Sequence, residues 1–198
     1  MSDPVPRVVK IGGSLTGRFP RLIPAIESSD CPLLIVPGGG PFADAVRSLG
    51  LDEESSHWMA IAAMDQVGWW IASFGVKPTD RIGMPEKVSV LLPYAELRRC
   101  DPLPHSWEVT SDVIAAWVAF RLGLDLLLLK SVDGLYSGGE LAEEVTSPFA
   151  AGEVDPLFLP FVFEHGVRVQ VVNGRYEDRV AAALRGEAVW GTVIHPRI

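Results

Sequence analysis

Val8-Val9-Lys10-Ile11-Gly12-Gly13-Ser14 sets a lysine in a short apolar run that stops on two glycines. The run has strand length, and the glycines predict a sharp turn directly after it. Leu33-Leu34-Ile35-Val36 repeats the arrangement and runs into Pro37-Gly38-Gly39-Gly40. Leu126 to Leu129 is apolar throughout, as a mid-sheet strand covered on both faces would be, and Lys130-Ser131-Val132-Asp133-Gly134-Leu135-Tyr136 follows it. Val88 to Leu92, Arg168 to Val172 and Val193-Ile194 complete the predicted strands, with Asn173-Gly174 closing the second of these. Between them, Pro41 to Leu49, about Ser55 to Phe74, Thr110 or Ser111 to Leu122, and Glu177 to Arg185 read as helices. In the long helix Ser56 is the expected cap, and Trp58, Ile61, Ala62, Val67 and Trp70 fall at core spacing. Strands alternating with helices predict an α/β sandwich with a mainly parallel sheet. Pro78 to His105, rich in proline and charge, is expected to form a hairpin, lid or interface flap.

Composition narrows the function. A chain of 198 residues predicts one domain, 1–198. The net charge of −8 argues against nucleic acid or an anionic membrane as partner. With 48% hydrophobic and 21% charged residues the chain is not a disordered one. Cys31 and Cys100 belong to no metal motif or disulfide framework, which fits reduced thiols in a cytoplasmic protein. Met1 to Pro6 lacks the pattern of a signal peptide, and Leu124 to Leu129 is too short to span a bilayer. His57, His105, His165 and His195 show no metal-ligand spacing, so no metal site is expected. His57 and His105 are the pair worth testing. No GxGxxG fingerprint is present, which argues against a dinucleotide-dependent oxidoreductase.

In parallel sheets ligands collect at the carboxyl ends of the strands. Gly12-Gly13 and Gly38-Gly39-Gly40 stand at two such ends, where bare peptide N–H groups can approach an anion. Thirteen of the 17 basic residues are arginine; of the four lysines, Lys10 and Lys130 both end strands. A compact ammonium there suits a phosphate. Asp112, at a helix start, reads equally as a residue favoured by the helix dipole or as a carboxylate that orients lysines. Trp107 is a candidate pocket wall.

The set Val8 to Leu15, Ile35 to Gly40, Thr110-Ser111-Asp112 and Ser131 to Tyr136, closed by Val171 to Gly174 and Gly191 to Ile194, resembles the amino acid kinase family along nearly the whole chain. The resemblance implies a three-layer αβα fold and phosphoryl transfer from ATP, with Mg2+ bridging its phosphates, to a small-molecule acceptor. It makes Lys10, Asp112 and Lys130 the catalytic candidates. Gly12, Gly13, Val132, Asp133, Gly134, Tyr136, Asn173 and Gly174 become nucleotide-binding candidates, and Gly38, Gly39, Gly40, Asp65, Trp107 and Ser111 substrate-binding ones. Two departures bear on the acceptor. Ser147 to Arg168 holds no lysine where amino-acid-specific members carry a second catalytic one, and Lys130 stands where many members have threonine. Pro41-Phe42-Ala43-Asp44 lacks the histidine of isopentenyl phosphate kinases. Ser56 to Asp65, His105 to Asp112, Val154-Asp155-Pro156 and Val171 to Arg175 resemble a short branch that phosphorylates an aminomethylfuran-methyl phosphate in methanofuran synthesis. That implies a phosphate monoester as acceptor, with Asp65, Asp155 or Glu108 for its amine and the triple glycine and Arg47 for its phosphate. Family relatives assemble through the long helix, so a homo-oligomer is expected. The competing expectation is a nucleotide- or oxyanion-binding storage or sensor protein of the same fold.

Overall fold

The structure, a computed structural model, describes residues 5–196. Met1 to Pro4, part of the stretch read as lacking a signal peptide, lie outside the described residues. The chain forms β1 (Arg7–Ile11), a 3-10 turn (Gly13–Arg18), α1 (Phe19–Glu27), β2 (Leu33–Pro37), α2 (Gly40–Ser48) and α3 (Glu53–Ala72). Then come β3 (Lys77–Thr79), β4 (Ser89–Leu91), α4 (Tyr94–Cys100), α5 (Ser111–Leu122) and β5 (Leu126–Lys130). A hairpin of β6 (Tyr136–Ser137) and β7 (Glu140–Leu141) precedes β8 (Glu144–Val145), α6 (Phe158–His165), β9 (Val169–Asn173), α7 (Glu177–Leu184) and β10 (Gly191–Ile194). One eight-stranded sheet runs β3-β4-β2-β1-β5-β9-β10-β8. The first six strands are parallel; β10 turns antiparallel against β9, and β8 follows β10.

Strand alternation sorts the core into two layers. Val8, Leu34, Val36, Leu126, Leu128, Val169 and Val171 face α5 and α6, while Val9, Ile11, Leu33, Ile35, Leu127, Leu129 and Val172 face α1 and α7. The three-layer αβα architecture implied by the resemblance is what the chain adopts. The apolar α3 is explained by its path along the sheet: Trp58, Ile61 and Met64 feed one layer, and Val67 and Ile71 feed the other.

Several local expectations are corrected. The α3 cap is Asp52, whose Oδ1 accepts the Ser55 N–H at 2.8 Å, not Ser56, which is buried. Ala62 is half-buried and Trp70 is 38% exposed, so these two leave the predicted core stripe. Thr110 occupies the α5 cap position, but its hydroxyl donates to Asp155, and the Asp155 carboxylate supplies the cap instead. The stretch from Pro78 to His105 is no hairpin: β3 and β4 pair in parallel at the sheet edge and α4 packs beyond them. Helix α1 is not among the helices expected from sequence, and it carries Pro20 near its start and Pro24 inside it. Phe19, Leu22, Ile23 and Ile26 are fully buried along one side of it. Burying four such side chains stabilises by roughly 6–12 kcal/mol, which outweighs the ~3 kcal/mol cost of an interior proline. No helix is long and apolar enough to cross a membrane among the described residues.

Gly191 tests the β9–β10 join. A Cβ there would collide with the Val171 backbone carbonyl, which cannot swing aside. Gly191→Ala is expected to destabilise by about 2 kcal/mol and lower the Tm by roughly 4–8 °C in calorimetry; an unchanged Tm would show that the antiparallel pair has slack.

Candidate active site

The parallel register delivers two lysines to one spot. Lys10 lies two residues beyond Val8 and shares its α5-facing side; Lys130 lies two beyond Leu128 on the neighbouring strand. In that pairing Lys10 sits opposite Leu128, which sets Lys130 one pleat further toward the strand end. Asp112, in the first turn of α5, descends between them. Lys10 Nζ stands 2.5 Å from Asp112 Oδ1, and Lys130 Nζ donates to Oδ2 at 2.8 Å. Lys10 and Asp112 are almost wholly buried, whereas Lys130 keeps 17% of its side chain open. Burial pushes the Asp112 carboxyl upward, but the two ammonium charges outweigh it and hold it below the usual carboxylate range. Burial depresses the Lys10 ammonium, and the like charge of Lys130 adds to this against the pull of Asp112. Asp112 thus settles the two readings open from sequence: it pairs with both lysines.

Around this cluster the glycine turns interlock. Gly12 N–H donates to the Leu129 carbonyl at 3.0 Å and Gly38 N–H to the Ile11 carbonyl at 2.8 Å, so β2, β1 and β5 are tied at their ends. A Cβ on Gly13 would lie 2.6 Å from the Gly40 backbone, and one on Gly38 2.7 Å from the Gly13 nitrogen. Only glycine permits that approach. Gly12 itself borders Lys10 Nζ. Gly40 holds a left-handed φ of +51° that starts α2. Ser14 and Ser131 bridge the β1 and β5 loops at 3.1 Å.

On the β2 side a cavity of about 410 Å³ opens between α2, α3, the α5 N-terminus and the 3-10 turn. Gly13, Gly39, Gly40, Ser111 and Trp107 line it, and the Arg47 guanidinium lies 4.5 Å over the Trp107 ring. Asp44, Glu53 and His57 also line it; sequence reasoning passed over Asp44 and Glu53, although Asp44 falls one turn beyond Gly40. His57 stacks on His105 at 4.4 Å, and His105 meets Asp101 at 2.8 Å. Burial, with the neighbouring His105, pushes the His57 pKa down to about 4.

Three carboxylates considered for an amine do not line the cavity. Asp65 accepts the Tyr94 N–H at 3.0 Å and so tethers α4, with burial raising its pKa. Asp155 accepts the N–H groups of Thr110 and Val113 and the Thr110 hydroxyl, which fixes the start of α5. Glu108 is exposed.

On the β9 side the loop after β5 gathers the other candidates. Asp133 Oδ1 accepts from Asn173 Nδ2 at 3.0 Å and from Arg179 at 2.6 Å, and both contacts hold its carboxyl below the usual range. Gly174 N–H donates to the Lys130 carbonyl at 2.8 Å. Gly134 packs tightly on Thr192, whose hydroxyl accepts the Leu135 N–H, and Tyr136 N–H donates to Glu153. Val132 lies in the same loop. Arg179, stacked on Tyr176, was not legible in the sequence because α7 brings it in from 46 residues away.

The two lysines therefore stand between a cavity on the β2 side and a polar loop cluster on the β9 side, at the strand ends where ligands bind in open α/β sheets. Comparison with known proteins agrees. The chain is 32% identical over 201 residues to a [5-(aminomethyl)furan-3-yl]methyl phosphate kinase of Methanocaldococcus jannaschii, covering 91% of this chain and 93% of that one. Its backbone is similar to the crystal structure of uridylate kinase from Archaeoglobus fulgidus (TM-score 0.69, 21% identity, 95% of this chain and 99% of that one). It is also similar to UMP kinase from Ureaplasma parvum (TM-score 0.73, 18% identity, 98% of this chain and 100% of that one). No family model matches. The protein is a phosphotransferase. It belongs to the amino acid kinase family and resembles that family's short branch of [5-(aminomethyl)furan-3-yl]methyl phosphate kinases.

His57 makes a pH signature. With a folded pKa near 4 against an ordinary 6.5, the unfolded chain binds the proton first as pH falls. Its contribution to stability is intact above about pH 6.5 and is lost progressively toward pH 4, by at most about 3 kcal/mol. The urea midpoint is expected to fall less between pH 7 and pH 4.5 in His57→Gln than in the wild type; equal falls would remove His57 from the linkage.

Proposed function

We propose that the chain transfers the γ-phosphoryl group of ATP to a small phosphate monoester, [5-(aminomethyl)furan-3-yl]methyl phosphate, to give the diphosphate. The observation that carries the reading is the Lys10–Asp112–Lys130 cluster between the β2-side cavity and the β9-side loops. The acceptor occupies the cavity, its phosphate toward Gly39, Gly40 and Ser111. The nucleotide lies along Val132 to Tyr136, Asn173 and Gly174, with its phosphates over Gly12 and Gly13. Phosphoryl transfer needs positioning and cancellation of charge more than covalent help. Asp112 holds both ammonium groups at the meeting point, and Lys130, the more open of the two, takes the place of the lysine missing between Ser147 and Arg168. The acceptor phosphate oxygen attacks the γ-phosphorus, the bond to the β-γ bridging oxygen breaks, and ADP leaves. Mg2+ fits no protein cage here. Among the described residues no three metal-ligating side chains converge, and Asp112 and Asp133 are committed to basic partners. A Mg2+ bound with ATP would be held by the nucleotide and water rather than by these side chains, and would neutralise phosphate charge. A reaction that draws on ATP belongs in the cytoplasm, as the cysteine usage suggests.

We further propose that the protein self-associates through α3. Met59, Trp69 and Trp70 are exposed along its outer side at 41%, 59% and 38%, an apolar stripe that a second copy would cover.

Three measurements test these readings. ADP release with Mg2+-ATP is expected to require the phosphate acceptor, and tight ATP binding without acceptor-dependent ADP would favour a storage or sensor protein. Lys10→Met and Lys130→Met are each expected to lower kcat by about 10²-fold or more; wild-type turnover in Lys130→Met would end its assignment. In sedimentation the wild type is expected as an oligomer that Trp69→Glu weakens, and a wild-type monomer at micromolar concentration would overturn the α3 interface.

A further inference from the structure

We propose that Arg179 is a positioning residue of the nucleotide side: through Asp133 and Asn173 it fixes the loop after β5, and so sets the affinity for ATP. The inference rests on the nucleotide placement proposed above and deepens it.

The loop depends on such a tie. It leaves β5 at Lys130 and is next anchored where Gly134 packs on Thr192 and the Leu135 N–H donates to the Thr192 hydroxyl at 2.9 Å. Among the described residues no backbone N–H of Ser131, Val132, Asp133 or Gly134 has a backbone partner. Amides left open in this way can face a phosphate, but they do not hold the loop in shape. Its polar ties are the Ser14–Ser131 bridge at the start and the contacts of Asp133.

Those contacts form a continuous chain. Arg179 Nη1 and Asn173 Nδ2 both donate to Asp133 Oδ1, and the Asn173 side-chain oxygen accepts the Arg175 N–H at 3.1 Å. Asn173 is buried and stands opposite Lys130 in the β5–β9 register. The chain thus runs from α7 through the loop to the strand end that carries Lys130. Tyr176 holds Arg179 from a second side, with the guanidinium 4.5 Å over its ring.

The placement of Arg179 runs against helix electrostatics. It is in the first turn of α7, where a cation opposes the helix dipole. Neither Glu177 nor Asp178 of that turn pairs with it among the described residues; its carboxylate partner comes from 46 residues away. With side chains 22% and 36% exposed, the Arg179–Asp133 pair adds little to the stability of the fold. Its effect falls on the loop instead. It fixes the Asp133 side chain and cancels a negative charge that would repel the phosphates of a nucleotide lying there.

Calorimetric binding of Mg2+-ATP tests this, with thermal melts and steady-state kinetics on the same proteins. Arg179→Gln is expected to weaken ATP binding, and to raise the KM for ATP, by roughly five- to tenfold. Its kcat is expected to change by less than about twofold, because the lost interaction serves binding and not the transition state alone. The KM for the phosphate acceptor and the Tm are expected to stay at the wild-type values. Arg179→Lys keeps the charge but not the planar fork or the stack, and is expected to fall between the two. In an Asp133→Asn background Arg179→Gln is expected to add little, since the tie is already cut. An unchanged ATP affinity in Arg179→Gln, with acceptor-dependent ADP release intact, would overturn the inference and leave the kinase reading standing. A fall in Tm without a change in ATP affinity would mark a structural pair and overturn it too, as would a full Arg179→Gln effect in the Asp133→Asn background. If the wild type binds ATP without acceptor-dependent ADP release, the kinase reading fails and the ATP affinities still decide the role of Arg179; a wild type that binds no ATP would overturn that role.

Discussion

A single buried carboxylate organises the reactive end of this protein. Asp112 holds two ammonium groups, one from each of the two central strands, against their mutual repulsion. Two cations at that separation repel, and burial removes the water that would screen them. Taking away one member of such a group leaves an uncompensated buried charge, which typically costs 3–5 kcal/mol. The arrangement is therefore structural and electrostatic at once: it keeps positive charge focused at the strand ends and joins α5 to β1 and β5. Asp155 secures Asp112 in turn, since its carboxylate fixes the first turn of α5 from a segment 45 residues away in sequence.

The rest of the fold prepares this point. Strand alternation puts Lys10 and Lys130 on the α5 side, and the glycine turns bring β2, β1 and β5 together closely enough for peptide amides to face a common space. Helix α3 contributes to both core layers, so its inner side builds the cavity wall while its tryptophans remain on the outside.

What the sequence displayed and what it concealed divide along a physical line. The strand ends were readable because a lysine, two glycine clusters and an all-apolar strand are local signals. The parallel sheet followed from their alternation with helices. Contacts made across the fold were not readable. Nothing near Thr110 announces that Asp155 will cap α5, and Asp52 and Ser56 are both capping types that only the chain path separates. The strand at Lys77–Thr79 is too short to carry a pattern, and α1 hides behind two prolines that its buried side outweighs. In the site, the lysines and glycine clusters were legible because each sits at the end of its own strand. Arg179 reaches Asp133 by packing of α7, and Asp65, attractive as an acid near a pocket, tethers α4 instead.

The cavity is walled by helices, whereas the lysines are rooted in strands. Side chains on α2 and the start of α3 are mostly exposed and answer to few neighbours, so they can be exchanged with little penalty to the sheet. Lys10 and Asp112 enjoy no such freedom. Lineages descending from one ancestral scaffold could thus remodel the cavity wall through a handful of replacements on these helices, while inheriting the Lys10–Asp112–Lys130 cluster unaltered.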